Sequence, residues 1–129
     1  MNTPAQPLTD AQRRQLAARI AERKELLLGE IRQVSHRSQH DLDVDQISRS
    51  GQIGHAAAIA LRQGIAEAEI LRDIEEVRDI VAAEQRLESS QYGECIDCGR
   101  NIRFARLDAY PTAKRCYQCQ VEHEQRRVA

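Results

Sequence analysis

Tryptophan is absent from this chain of 129 residues, phenylalanine occurs once and tyrosine three times. Compact cores draw much of their bulk from aromatic rings, so the chain has to be held by aliphatic seams between long elements. Six glycines, few for this length, and 30% charged residues suggest long helices packed along narrow seams. No apolar run is long enough to span a bilayer. The first fifteen residues are polar, carry Pro4 and Pro7, and lack the charged-then-apolar layout of a secretory leader. An excess of one charge is missing too: 19 Lys and Arg stand against 20 Asp and Glu, a formal net charge of −1, which gives no overall electrostatic reason for nucleic-acid binding. Neither a nucleophile-base-orienter set nor a glycine-rich phosphate loop is found, so an enzyme is not expected.

Cysteine is scarce but ordered. The four cysteines form two C-x-x-C pairs, Cys95/Cys98 and Cys116/Cys119, with 17 residues between the pairs. That is the spacing of a four-thiolate zinc site, in which each short knuckle offers two sulfurs to one tetrahedral ion. Gly99, directly after the first pair, can adopt positive φ without a Cβ clash. After the second pair Gln120, Val121 and Glu122 predict a short helix. Disulfides or a redox pair are the alternative, but no secretory leader and no βαβ pattern accompany the cysteines. One Zn²⁺ per chain and a cytoplasmic location are the expectation.

The remainder reads as helix. Residues 1–8 form an expected flexible leader. Thr9 and Gln12 have the spacing of a capping box, with Asp10 near the positive helix end. Leu16, Ile20, Leu27, Ile31 and Val34 recur at helical steps along one face, and Gly29 is a weak point worth about 1 kcal/mol. From about Gln52 to Ser90 a second helix is expected, with Gly54 and Gly64 near its start. Ile70, Ile74, Val77 and Val81 follow the 4-3-4 steps of a coiled-coil seam. Such a helix would reach about 55 to 60 Å at 1.5 Å per residue. The expected architecture is all-α: a long antiparallel helical hairpin (coiled coil) over 9–90, and a four-cysteine zinc-finger module with a short C-terminal helix over 91–129. Inside the zinc loop, Ile102, Phe104, Leu107, Tyr110 and Pro111 are the expected small core.

The tip of the hairpin is placed at about 41–51, where Asp41, Asp43 and Asp45 alternate with Leu42 and Val44 before Ser50-Gly51. Acids there suit a positively lined cavity or a metal ion held by a partner, or simply solubilise a turn. His36 and His40 lie four apart without further ligands, which fits a solvated face. Over residues 92–129 seven Lys and Arg face five acids. That +2 is cancelled by the −2 of four thiolates on a divalent ion, so the arginines are expected to neutralise the metal cluster rather than read DNA.

Tyr92-Gly93-Glu94-Cys95-Ile96-Asp97-Cys98-Gly99, then Ile102, Arg106-Leu107, Ala109-Tyr110-Pro111-Thr112-Ala113 and Cys116-x-x-Cys119, resemble the DksA/TraR family of bacterial transcription regulators over about 30 residues. The resemblance implies a coiled coil inserted into the secondary channel of RNA polymerase, with acidic tip residues directed at the active site and no direct DNA contact. Members carry D-x-x-D-x-A at the tip, and none of Asp41, Asp43 or Asp45 begins that spacing here. Members that share a ppGpp site with polymerase have basic residues where this chain has Tyr110 and Gln120, which implies a weakened or absent ppGpp response. A zinc-stapled coiled-coil adaptor for another protein is the alternative, followed by a DNA-binding finger.

Overall fold

A computed structural model describes residues 4–38, 42–63 and 65–128. Among them are α1 (Asp10–Ser38), α2 (Val44–Ser50), α3 (His55–Ala60), a 3-10 turn (Leu61–Gln63), α4 (Ile65–Glu88), α5 (Phe104–Ala109) and α6 (Tyr117–Val128). Extended pairing among the described residues amounts to an isolated antiparallel bridge, Glu94 to Asn101. The all-α class with a long helix pair is therefore observed. The chain divides into two compact units, residues 21–82 and residues 1–20 with 83–129.

In the unit 21–82, the predicted seam is buried: Leu27 and Ile31 on α1, and Ile70, Ile74, Val77 and Val81 on α4, joined by Leu28 and Ile80. Burying side chains of this size contributes about 1.5–3 kcal/mol each. Arg23 holds Glu76 in a bidentate pair, Nε to Oε2 and Nη2 to Oε1, the latter at 2.9 Å, while Glu30 hydrogen-bonds Asp73. Numbers rise along α1 as they fall along α4, so the two helices run antiparallel. Gly29 does not interrupt α1, and a methyl group at its Cα would meet nothing within 4 Å.

The single helix expected over 52–90 is replaced by three pieces. α3 starts after Gly54, gives way at Leu61 to the 3-10 turn, and α4 begins only at Ile65. With 24 residues, α4 is about 36 Å long at 1.5 Å per residue. The reason is burial: Leu61 and Ile47 are fully enclosed and Leu42 nearly so, so the connection has an apolar face of its own. Gly51 caps α2 in the left-handed region at φ +70°, its amide donating to Ile47 O at 2.7 Å. It sits directly on α4, where a Cβ at Gly51 would lie 2.4 Å from Arg78 Cα, and Arg78 Nε donates to Gly51 O at 3.2 Å. Since Arg23 faces Glu76 on the same stretch, α2 ends beside the middle of α4. The chain must then travel back along α4 before that helix can begin. The expected turn at 41–51 is instead a small helical excursion.

The other unit gathers Leu16 and Ile20 of α1, Ala83 of α4, and Tyr92, Ile102, Leu107 and Ala113. The capping box forms as the spacing predicts: Thr9 N donates to Gln12 Oε1 at 3.0 Å, and Gln12 N to Thr9 Oγ1 at 3.1 Å. Arg19 Nη1 reaches Asp108, bonding its backbone O at 2.8 Å and Oδ1 at 2.9 Å. Residues 4–8 of the expected flexible leader are docked. Asn101 Nδ2 donates to Ala5 O at 3.2 Å, and Leu8 lies against Gly93, 3.0 Å from where a Cβ would stand. The small core is also redistributed. Ile102 and Leu107 are buried, Phe104 is half-buried and Tyr110 is 53% exposed. Tyr92, expected only to follow a helix end, takes the central place and donates its hydroxyl to Pro111 O at 2.6 Å. No helix among the described residues is long and apolar enough to cross a membrane.

Candidate metal centre

The first knuckle is built by backbone bonds around Cys95. Cys95 N donates to Arg100 O at 2.8 Å, Gly99 N returns to Cys95 O at 3.0 Å, and Ile96 N donates to Lys114 O at 2.9 Å. Closing so tight a loop puts Gly99 at φ +75°, the conformation that favours glycine. The second knuckle is the opening of α6, where Gln120 N donates to Cys116 O at 2.9 Å and Cys119 N approaches Cys116 Sγ at 3.5 Å. The helix predicted after Cys119 thus already begins at Tyr117. Its N-terminal amides favour negative charge on the two sulfurs.

All four cysteines are free of disulfides, and their sulfurs lie within 4.8 Å of one another. A tetrahedral ion with zinc–sulfur bonds of about 2.3 Å requires sulfur–sulfur edges of about 3.8 Å. Cys98 Sγ and Cys116 Sγ, one from each knuckle, are 3.9 Å apart. The donor set and spacing fit one Zn²⁺. Burial acts to raise the Cys95 thiol, but amides of Cys98, Cys116 and Asp97 outweigh it and bring the pKa down to about 6. Cys119 moves the other way, pushed up first by its bond to Cys116, then by burial and the remaining sulfurs. Four thiolates this close repel one another, and a divalent cation removes the conflict. No other group of metal-ligating side chains converges among the described residues.

Arg115 ties the knuckles together and Arg106 braces it from α5, roles the charge count alone did not assign. Arg115 Nε pairs with Asp97 Oδ2 of the first knuckle at 2.8 Å, and Arg106 Nε donates to Arg115 O at 2.9 Å. Such bonds orient a metal site from outside its ligand shell.

Residues 90–125 match the family model described as prokaryotic dksA/traR C4-type zinc finger. The metal centre is similar to the dksA/traR C4 type. Over the fold as a whole, the chain is similar to a solved structure titled "Structure of transcription factor DksA2 from Pseudomonas aeruginosa", at TM-score 0.70 and 20% identity, covering 96% of this chain and 95% of that one. None of the curated proteins compared with the chain matches it.

The expected tip residues are distributed unequally. Asp41 and His40 lie outside the described residues. Asp43 is the N-cap of α2, its Oδ1 accepting from Gln46 N at 3.1 Å, while Asp45 is exposed in the first turn. Asp43 and Asp45 line a shallow recess of about 600 Å³ with Arg32, Leu42 and Val44, so a cation already stands near the two acids. Gln120 is half-buried, and its amide donates to Glu124 Oε1 at 3.1 Å.

Proposed function

We propose that the protein is a non-enzymatic regulator of transcription initiation in the cytoplasm, which binds RNA polymerase through its secondary channel and directs the acidic segment 41–45 toward the active site. The observation that carries this reading is the dksA/traR zinc finger at 90–125 within a chain whose fold is similar to DksA2 over 96% of its length. In this reading zinc supplies only structural cross-linking. Cys95, Cys98, Cys116 and Cys119 hold it, Arg115 fixes the two knuckles against each other with Arg106 bracing it, and no residue of the module reads DNA. Tyr110 and Gln120 in place of basic residues predict a weak or absent response to ppGpp.

Pull-down with purified polymerase, competed by another channel-binding factor, tests the reading, and absence of binding at about micromolar concentration removes it. The acids are tested by Asp41→Asn, Asp43→Asn and Asp45→Asn together, because asparagine preserves the cap of α2 while removing the charge. Loss of the transcriptional effect with binding retained is the expected result.

A second reading, a zinc-stapled helical adaptor for a different protein, is favoured by one observation: α2 replaces a plain turn and commits Asp43 to capping. An unchanged transcriptional effect in the triple variant, with folding intact, would favour it.

A further inference from the structure

The stretch from Asp108 to Arg115 leads into the second knuckle, and it is fastened on two sides. On one side stand three donors from the helices and from the turn after α4. Arg19 Nη1 of α1 donates to Asp108 O at 2.8 Å, Tyr92 Oη to Pro111 O at 2.6 Å, and Arg86 Nη2 of α4 to Thr112 O at 3.3 Å. The carbonyl of Arg86 also accepts from the amides of Gln91 and Tyr92, at 2.9 and 3.1 Å, so this one residue joins the close of α4 to the same stretch. On the other side stands the first knuckle: Ile96 N donates to Lys114 O at 2.9 Å, and Arg115 Nε to Asp97 Oδ2 at 2.8 Å. Between these anchors Ala113 N closes on Tyr110 O at 3.0 Å, and the Ala113 side chain is buried. Residues 108–115 are thus a strap held by the helices along one edge and by the first knuckle along the other. All of these groups belong to one compact unit.

We infer that Arg19, Arg86 and Tyr92 are positioning residues for zinc: acting through the strap, they set the affinity of the four cysteines for the ion. Bringing one knuckle opposite the other closes a loop of 17 residues, and the entropy of ordering that loop opposes metal binding. Donors that hold the carbonyls of the strap favour the ordered loop before the metal arrives. Bonds of this kind, made outside the ligand shell, tune metal affinity. Linkage makes the effect mutual: whatever these donors contribute to zinc binding, zinc contributes equally to the bonds they make. Metal occupancy is then felt where Leu16 and Ile20 of α1 and Ala83 of α4 are buried, and not only among the thiolates. The inference concerns this unit alone and does not rest on polymerase binding.

The test is competition for zinc between the full chain and a chromogenic chelator of known affinity, with hydrogen exchange followed by mass spectrometry on the same samples. Arg19→Gln and Tyr92→Phe are each expected to loosen zinc about fivefold, the effect of losing roughly one hydrogen bond, with one zinc per chain still bound at saturation and the helical signal of the loaded protein unchanged. Arg86→Gln is expected to act in the same direction. Val77→Ala is the comparator: it opens a cavity in the buried seam of the other unit and should lower stability without moving zinc affinity. Removal of zinc should raise exchange over residues 10–20 and 83–92 as well as over the knuckles. Unchanged affinity in both Arg19→Gln and Tyr92→Phe, an equal loss of affinity in Val77→Ala, or faster exchange confined to the knuckles on zinc removal overturns the inference.

Discussion

Replacing Gly51 with asparagine puts the return of α2 onto α4 to a direct test. Two costs meet at this residue. A side chain at φ +70° costs about 1–2 kcal/mol for most residues, but asparagine visits the left-handed region routinely and largely escapes that penalty. The second cost is contact. A Cβ here lies 2.4 Å from Arg78 Cα, 2.8 Å from its Cβ and 2.9 Å from its N. Two of these atoms are backbone in the middle of a 24-residue helix, so α2 has to move away, an overpacking cost of about 1–3 kcal/mol. Gly51→Asn should therefore lose about 1–3 kcal/mol and Gly51→Ala about 2–5 kcal/mol. Urea unfolding of the zinc-loaded protein followed by circular dichroism reads both, with the m-value checked to confirm that the unfolded reference is unchanged. An Asn variant as stable as the parent would refute the close approach, and with it the placement of α2 beside α4.

Other outcomes follow from the same geometry. Cys98→Ser should abolish stoichiometric zinc binding and unfold the C-terminal segment while part of the helical signal persists; full zinc content by elemental analysis would contradict the four-ligand centre. Asp73 is raised to about 6, first by burial and then by Glu30 and Glu76, against Arg23. A raised carboxyl stabilises the fold below its unfolded value near 3.8 and loses that contribution as pH climbs through about 6. Asp73→Asn should accordingly gain about 1 kcal/mol at pH 8, once solvent screening at this half-exposed site is allowed for, and gain nothing at pH 4; equal gains at both would refute the assignment. Tyr92→Phe removes the bond to Pro111 O and should cost about 1 kcal/mol, seen as a lower unfolding midpoint of the zinc-loaded chain. In the parent, burial pushes the Tyr92 phenol up to about 12, so its ultraviolet titration should come well above the ordinary phenol value near 10.

Features encoded over a few neighbouring residues were legible in the sequence. The thiol spacing, the positive φ of Gly99, the Thr9–Gln12 box and the seam from Ile70 to Val81 each depend on contacts within one or two turns. The connection between the long helices was not. His55-Ala-Ala-Ala-Ile-Ala is strongly helix-forming, and nothing local ends it at Leu61; the change comes where Leu61 is fully enclosed by the packing of its unit. Gly51 gave a turn signal without revealing that Arg78, 27 residues away, occupies the space a side chain would need. Tyr92 and Leu8 were missed for a similar reason, since both are isolated apolar residues outside any periodic pattern, and their contacts, with Pro111 and Gly93, are distant in sequence. At the metal centre the ligands were readable, whereas the bridging of the knuckles by Arg115, braced by Arg106, depends on where the chain returns.

The close seat of Gly51 on Arg78 also governs how this protein can be re-engineered. A transplant of another acidic turn between positions 41 and 51 would remove the buried Ile47 and take the glycine cap from its seat on Arg78 of α4. A clean exchange has its joints at Ser38 and Ile65, where α1 ends and α4 begins, removing the whole excursion as one cassette. Its acids and its packing face are then inherited together or lost together.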